Sequence, residues 1–286
     1  MTPDVRIHEV GPRDGLQNEK RVIPLPEKLA LISLLAKAGL TEIEVGSFVS
    51  PSRVPQMADS DALVTDLPAS RDVRYTVLVP NMRGWDRFAA VMQPDTRYRV
   101  AVFISASEGF SRHNLNASVA ESLKAIAPVI QAAQEVGVAL RGYVSCVTDC
   151  PYDGPVAPAQ VADVVAGLRD LAPMPISLGD TIGAGTPKTV AAMLQAVSEV
   201  APVTALAGHF HDTGGRALAN IDVSLDMGLR DFDSAAGGLG GCPYAPGAPG
   251  NVATEAVLKL MADRNMTTGV DAALVAEAGV MARKMR

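Results

Sequence analysis

Residues 175–235 read PISLGDTIGAGTPKTVAAMLQAVSEVAPVTALAGHFHDTGGRALANIDVSLDMGLRDFDSA, and the pattern of this stretch predicts the fold class. Three short apolar runs within it are typical of buried strands, at 175–178, 203–210 and 231–235. Two stretches between the runs carry apolar residues at helical spacing, at 187–200 and 216–227. A strand and a helix therefore alternate along this part of the chain.

The same alternation extends through the rest of the sequence. Further strands are predicted at 5–10, 41–47, 74–79, 98–104 and 139–145, and further helices at 26–38, 118–136 and 158–171. A helical tail at 252–263 and 272–286 follows the last strand. Strict alternation favours parallel strands with right-handed crossovers, and eight such strands close a barrel. We expect an α/β fold, a (β/α)8 TIM barrel with additional C-terminal helices, as a single domain over 1–286.

An open doubly wound sheet is the alternative fold. Its commonest use is dinucleotide binding, and no G-x-G-x-x-G follows the first strand. The length of 286 residues suits one barrel, since α/β barrels commonly run to about 250 residues. No break in composition indicates a linker between two domains.

Charge and composition exclude some classes of function. A net charge of −6 argues against nucleic acid as a partner. No apolar run approaches the ~20 residues of a membrane span, and no charged-then-apolar leader precedes the first strand. Three cysteines are an odd number for a disulfide framework, so we expect a reducing, cytoplasmic setting.

A pair of histidines closes the seventh strand. Residues i and i+2 of a strand share a face, so His209 and His211 project together. Two imidazoles on one edge can hold a divalent metal ion, and active sites of such barrels lie at the carboxyl ends of the strands. The alternative is a pair of packed or solvent-facing histidines.

The first strand runs into GPRDG at 11–15. The Gly-Pro break can turn Arg13 and Asp14 toward one centre, although they are adjacent. Asp14 would then supply an oxygen ligand to a metal and Arg13 a permanent positive charge. Alone, the tripeptide also fits a surface Arg–Asp pair in a turn.

Two acidic residues fall at other strand ends. On the second strand, apolar Ile43 and Val45 alternate with Glu42 and Glu44, so the carboxylates are expected to face the barrel interior. A charge there is costly unless it is paired or used, and Glu44 fits either a functional role or a salt bridge to Arg13. Asp180 closes the sixth strand and fits a functional role or a turn cap equally well.

Residues 237–251 are rich in glycine and proline and follow the eighth strand. This composition predicts a mobile lid loop over the active site. Cys242 lies inside it, which suggests a thiol that reacts or transfers a proton. Asn251 ends the loop, and local sequence favours a helix N-cap there. Cys146 and Cys150 are interpreted as structural.

Several segments resemble the 3-hydroxy-3-methylglutaryl-CoA lyase family, in order and over nearly the whole chain. They are RDGLQNEK at 13–20, SFVSP at 47–51, RGYVSC at 141–146, SLGDTIG at 177–183, HFHDT at 209–213, GLGGCPYA at 238–245 and GNVATE at 250–255. The cysteine-containing lid is the most specific of them.

The resemblance implies a TIM-barrel lyase that needs Mg²⁺ or Mn²⁺ and cleaves 3-hydroxy-3-methylglutaryl-CoA to acetyl-CoA and acetoacetate. It also implies leucine degradation, ketone-body metabolism and a homodimer. By resemblance the residues divide into metal ligands (Asp14, His209, His211, Asn251), the catalytic arginine (Arg13), the lid cysteine (Cys242) and supporting acids (Glu44, Asp180). Gln17 and Lys20 are candidates for contacts with coenzyme A.

Two positions depart from the family pattern. After His-Asp-Thr the family usually continues Tyr-Gly-Gln, whereas this chain has Gly214, Gly215 and Arg216. A lyase for another branched 3-hydroxy-acyl-CoA therefore stays an alternative, with Gly214 as the reason. Two further alternatives are a Claisen-type acyl-CoA synthase on the same fold and a metal-binding barrel without catalytic activity.

Overall fold

Eight parallel strands close into a barrel in the computed structural model, which describes residues 3–241 and 250–286. Numbered in chain order, the barrel strands are β1 Arg6–Glu9, β2 Glu42–Ser47, β3 Arg74–Leu78, β4 Arg97–Ser105, β5 Ala139–Ser145, β6 Ile176–Asp180, β7 Leu206–Phe210 and β8 Asp231–Ser234. Closure is made by β8 pairing in parallel with β1, with Asp231 opposite Arg6. The predicted TIM barrel is confirmed.

Helices connect successive strands on the outside of the barrel. They are α1 Leu25–Lys37, α2 Ser60–Asp66, α3 Met82–Ala89, α4 Glu108–Leu115, α5 Val119–Glu135, α6 Pro158–Leu171, α7 Pro187–Ser198, α8 Ala217–Asp226, α9 Thr254–Asp263 and α10 Ala272–Arg283. The last two confirm the predicted C-terminal helices. Within the described part of the chain, no helix combines the length and the apolar character needed to cross a membrane.

The structure differs most from the predicted strands at the seventh, and it adds small elements. Residues Val203–Ala205 form a 3-10 turn, so β7 begins at Leu206 rather than at Val203. An apolar run alone could not separate this turn from the strand that follows it. Between β5 and α6 lies a two-stranded hairpin of Asp149–Cys150 and Gly154–Pro155, too short to show a period in the sequence.

Side-chain alternation on the strands separates an apolar outer layer from a charged interior. On β2, Ile43 and Val45 are fully buried in the hydrophobic core. Glu42 and Glu44 alternate with them and pair with arginines of other elements, Glu42 with Arg99 and Glu44 with Arg13. The interior thus carries charge along its length, and its carboxyl end holds the candidate site.

Candidate metal-binding active site

A single wide turn of π-helix, Gly11–Gly15, follows β1 and carries two site residues. The backbone N–H groups of Arg13, Asp14 and Gly15 all donate to the carbonyl of Val10, at 3.2, 2.8 and 3.1 Å. A Cβ at Gly15 would lie 2.7 Å from Cβ of Leu239, so the close packing of this turn requires glycine. The turn brings adjacent side chains together, since Arg13 Nη1 donates to Asp14 Oδ1 at 2.9 Å.

Asp14, His209 and His211 form a candidate metal site. One potential ligand atom from each residue lies within 4.8 Å of the others. The two imidazole rings lie close together, with centroids 5.3 Å apart and planes tilted by 45°, as the i, i+2 spacing predicts. Imidazole nitrogens and a carboxylate oxygen in this arrangement fit a divalent cation.

Asn251 joins this set from the far side of the glycine-rich loop. Its backbone forms an isolated antiparallel β-bridge with that of His211. Its Nδ2 donates to Asp14 Oδ2 at 2.8 Å and to the Leu239 carbonyl at 3.3 Å. The amide oxygen is therefore its atom for coordination. The N-cap of α9 is Ala253, so the N-cap interpretation of Asn251 was wrong.

Arg13 links the metal site to Glu44 in the barrel interior. Arg13 is 6% exposed, and its Nη2 lies 2.7 Å from Oε2 of the fully buried Glu44. Burial raises the pKa of Glu44 to about 7, although Arg13 opposes the shift. Burial also acts against the charge of Arg13, but Glu44 and Asp14 outweigh it and hold the arginine's pKa above its ordinary value. Both expected features of Glu44, an inward position and a salt bridge to Arg13, are present.

The Asp14 carboxylate stays charged despite its surroundings. Burial acts to raise its pKa, but the charge of Arg13, with smaller contributions from His209 and His211, outweighs burial and lowers the pKa to about 2. An ionised carboxylate is the form that binds a metal ion. Asp14 is therefore ready to coordinate over the whole neutral range of pH.

Asp180 lies at the end of β6 with its carboxylate held by two neighbours. Thr148 Oγ1 donates to Oδ1 and the backbone N–H of Gly185 donates to Oδ2, both at 3.0 Å. Ser177 and Gly179 of the same strand line the active-site cavity, and strand alternation turns Asp180 to the other side. These contacts support the turn-cap interpretation of Asp180.

A cavity of about 880 Å³ opens above the metal site. Gln17 lines it and accepts a hydrogen bond from Arg13 Nη1 at 3.4 Å. Lys20 is exposed and is not among the described residues that line the cavity. Much of the remaining wall is apolar and comes from the β3 to β5 side of the barrel: Leu78, Phe103, Phe110, Leu115, Ile126 and Val144.

Gly214 does not enlarge this cavity. The space where a Cβ would stand is taken by Arg216, whose Nη2 would lie 2.7 Å from it. Arg216 donates through Nε to the Gly185 carbonyl at 3.1 Å, and through Nη2 to the carbonyls of Ala184 and Gly183 at 3.3 and 3.4 Å. The departure from the family pattern is therefore filled by the chain's own arginine, which ties the loop after β6 to the loop after β7.

The predicted lid, residues 237–251, begins and ends at the cavity. Gly241 and Asn251 line the cavity, and the Gly250 N–H donates to the Gly240 carbonyl at 3.2 Å. Cys242, with the rest of 242–249, lies outside the residues that the structure describes. Its predicted role stays a prediction.

Three buried polar residues at the site were missed by the sequence analysis. Tyr143 on β5 lines the cavity, with the guanidinium groups of Arg13 and Arg141 at 5.8 and 5.5 Å from its ring centroid. Glu9 accepts from the N–H groups of Gly11 and Ala236, each at 2.9 Å, and so connects β1 to β8. Asp233 on β8 contacts His209, with its Oδ2 3.1 Å from Nδ1 of the histidine. Tyr143 and Asp233 could have been found from the inward alternation of polar side chains, which was applied only to β2 and β7. Glu9 lies on the opposite face of its strand from the interior residue His8 and lacks this signal.

Comparison with known proteins places this site in a family. The model of the HMGL-like family matches residues 4–281. Hydroxymethylglutaryl-CoA lyase of Pseudomonas mevalonii is 51% identical over 276 residues, which cover 96% of this chain and 90% of that protein. A Pseudomonas aeruginosa protein named 3-hydroxy-3-isohexenylglutaryl-CoA/hydroxy-methylglutaryl-CoA lyase is 50% identical, with 96% of this chain and 90% of the relative covered.

A solved structure agrees with the sequence relatives. The HMG-CoA lyase of Brucella melitensis superposes with a TM-score of 0.96 at 53% identity, covering 100% of this chain and 99% of that one. Identity and coverage at this level extend over the barrel, the strand ends and the C-terminal helices. The chain therefore belongs to the HMGL-like family, the family of the 3-hydroxy-3-methylglutaryl-CoA lyases.

Proposed function

We propose that this protein cleaves 3-hydroxy-3-methylglutaryl-CoA to acetyl-CoA and acetoacetate. The observation that carries the proposal is the convergence of Asp14, His209 and His211 within 4.8 Å, next to the buried Arg13. These groups lie at the carboxyl ends of β1 and β7, where barrels of this kind carry their chemistry. Membership of the lyase family supports the same reaction.

The proposed cofactor is Mg²⁺ or Mn²⁺. Asp14, His209 and His211 would hold the cation, with the amide oxygen of Asn251 as a fourth ligand. When bound, the cation acidifies and orients the tertiary hydroxyl of the substrate.

The bond to be broken joins the hydroxyl-bearing carbon to the carbon next to the thioester. Its electron pair passes to the thioester as an enolate while the hydroxyl loses its proton and becomes the ketone of acetoacetate. Arg13 stabilises the negative charge on the thioester oxygen, in the manner of an oxyanion site. The permanent charge of Arg13, held by Glu44 at 2.7 Å, suits this role.

Two protons must move in this reaction. We assign the hydroxyl proton to Glu44 rather than to Asp180, because Glu44 contacts Arg13 and has a pKa of about 7. Asp180 is held by Thr148 and Gly185, away from the cavity. Cys242 is proposed to protonate the acetyl-CoA carbanion, with 237–251 as a lid that excludes water.

Substrate binding and assembly complete the proposal. The apolar wall of the cavity suits the acyl and pantetheine parts of an acyl-CoA, with Gln17 at the metal end and Lys20 as a candidate phosphate contact. We also propose a homodimer and a cytoplasmic location. The free thiols of Cys146 and Cys150 fit the reducing compartment expected from the cysteine count.

A panel of acyl-CoA thioesters tests the function. Purified protein with Mg²⁺ is incubated with 3-hydroxy-3-methylglutaryl-CoA and with analogues that carry longer groups at C3, and acetyl-CoA release is followed. Fastest release from the methyl compound is expected. Faster release from a longer analogue would favour the alternative lyase, and condensation of acetyl-CoA with a 2-oxo acid would favour the synthase. No turnover of any compound would contradict an enzymatic role.

A further inference from the structure

Asp233 is a fully buried carboxylate at which four strands meet. It lies on β8 with a side-chain exposure of 0%. Arg141 Nη2 of β5 donates to Oδ1 at 2.5 Å, and Ser177 Oγ of β6 donates to Oδ2 at 2.7 Å. The third partner is His209 of β7, whose Nδ1 lies 3.1 Å from Oδ2. None of these contacts is needed to close the barrel, because the strands already pair through their backbones.

The contact with His209 determines which ring nitrogen faces the metal site. An ionised carboxylate only accepts hydrogen bonds, so Nδ1 of His209 must carry the proton. The other nitrogen, Nε2, then keeps a free lone pair in the neutral ring. A neutral imidazole with its lone pair exposed is the form of histidine that binds a metal.

We propose that Asp233 is a positioning residue for the metal centre, which holds His209 as its Nδ1-protonated tautomer with Nε2 directed toward Asp14 and His211. This inference rests on the metal site of the proposed function and adds a residue that touches neither metal nor substrate. Carboxylates that orient a ligating histidine in this way typically affect metal affinity 10- to 100-fold when they are changed.

Arg141 makes this arrangement possible. A lone carboxylate buried in the barrel would be costly, and the equally buried Arg141 supplies its counter-charge. Arg141 and Asp233 are 92 residues apart in the sequence, and closure of the barrel brings them into contact. The histidine relay is the hydrogen-bonded chain of Arg141, Asp233 and His209, which positions the histidine ring.

The tautomer of His209 can be measured in the native protein. The chain has four histidines, so ¹⁵N-histidine labelling gives a readable spectrum, and the His209→Asn variant assigns the signal. At about pH 9, where the imidazole ring is neutral, we expect protonated Nδ1 and unprotonated Nε2 in both the metal-free and the Mg²⁺-loaded protein. A proton on Nε2, or averaging between the two tautomers in the metal-free protein, would overturn the proposal. A purely structural role for Asp233 does not require either tautomer.

Metal affinity gives the second readout. Calorimetric titration of metal-free protein with Mn²⁺ is expected to show a Kd 10- to 100-fold higher in Asp233→Asn than in wild type. The matched control is Asp231→Asn, the same change on the same strand, where the carboxylate pairs with the half-exposed Arg6 instead of a histidine. This control should keep its Kd within about twofold. Equal affinity of Asp233→Asn and wild type, or equal weakening in both variants, would contradict the relay.

The two readouts separate this proposal from the proposed function. Neither uses an acyl-CoA, so the wrong choice of substrate leaves both results unchanged. Wild-type protein that binds no Mn²⁺ would contradict the metal site, whereas the tautomer in the metal-free protein still tests the contact with Asp233. If Asp233→Asn does not fold, the wild-type spectrum decides alone.

Discussion

Glu42 and Glu44 lie two residues apart on β2, and their carboxylates have different partners in the barrel interior. Near the amino end, Glu42 is shared by two arginines, with Arg74 Nη1 at 3.0 Å and Arg99 Nη1 at 2.8 Å. Toward the carboxyl end, Glu44 is fully buried and pairs with Arg13 at 2.7 Å, and burial raises its pKa to about 7. The same residue type on the same face thus meets two opposite environments.

The difference shows which buried charges serve structure and which serve chemistry. Glu42 has its charge matched by fixed neighbours, as expected of the stabilising face of a barrel. Glu44 carries a pKa close to neutral next to an arginine that faces the cavity, as expected of the catalytic face. Substitutions at the carboxyl end of the barrel interior should therefore lower activity, and substitutions at the amino end should lower stability.

The largest effect is expected at Arg13. Arg13→Gln should lower kcat by 10²- to 10³-fold with little change in KM, because the charge that develops on the thioester loses its partner. Arg99→Gln, its counterpart at the amino end, should keep kcat within about threefold and lower the melting temperature instead. Steady-state kinetics on both folded variants measures this. Near-normal turnover of Arg13→Gln would remove Arg13 from the mechanism.

The second effect compares the two glutamates directly. Glu44→Gln should reduce kcat by about 10²-fold, the usual size for loss of a general acid or base. Glu42→Gln leaves Arg74 and Arg99 without their shared carboxylate and should lower stability while kcat stays near wild type. Thermal unfolding and kcat are measured on the same samples. Equal losses of kcat in the two variants would show that the two ends of the barrel interior contribute equally to catalysis.

The stability of the protein is expected to depend on pH through Glu44. In metal-free protein the pKa of Glu44 is raised to about 7 from an ordinary value of 4.5, so the folded state holds a proton that the unfolded state has lost. The contribution is complete below pH 4.5 and is lost as the pH rises through 7. At 1.36 kcal/mol per unit, it is on the order of 3 kcal/mol.

Urea unfolding at pH 5 and pH 8 measures this contribution. The unfolding free energy of wild type should fall between the two values by more than that of Glu44→Gln, which has no proton to lose. Glu9, also with a pKa raised by burial to about 7, adds to the wild-type slope but is present in both proteins. Parallel pH dependence in wild type and Glu44→Gln would contradict the raised pKa.

Gly214 should give the smallest effect. A Cβ there would displace the Arg216 guanidinium from the loop after β6, so Gly214→Ala should cost about 1 kcal/mol of stability and less than tenfold in kcat. In an Arg216→Ala background the same change should cost less, since the guanidinium is gone and only the Gly183 carbonyl, 3.0 Å from the Cβ position, stays close. A double-mutant cycle by urea unfolding measures the coupling. Additive costs would show that the two positions are independent.

The sequence predicted the features that depend on local periodicity. The eight strands follow from apolar runs, and His209 and His211 share a face because strand residues alternate. Asp14 was found because a Gly-Pro break follows β1 at a strand end. The barrel then brings these residues together as expected.

Features that depend on barrel closure could not be predicted in the same way. Asp233 sits in a short strand, DFDS, whose two aspartates look alike in sequence. Only the closed barrel separates them, by placing Asp233 against Arg141 and His209 and leaving Asp231 against Arg6. The local interpretation of Asn251 as an N-cap was wrong for a related reason, because the length of a glycine-rich loop does not fix where the next helix begins.

Removal of the metal ion tests whether the site of Asp14, His209 and His211 carries the activity. Protein treated with a chelator and freed of it is assayed for acetyl-CoA release from 3-hydroxy-3-methylglutaryl-CoA, before and after addition of Mg²⁺ or Mn²⁺. We expect activity to be lost on stripping and restored by either cation in wild type, and not restored in Asp14→Ala. Undiminished activity in the metal-free protein would contradict the assignment of Asp14, His209 and His211 as the centre of the site.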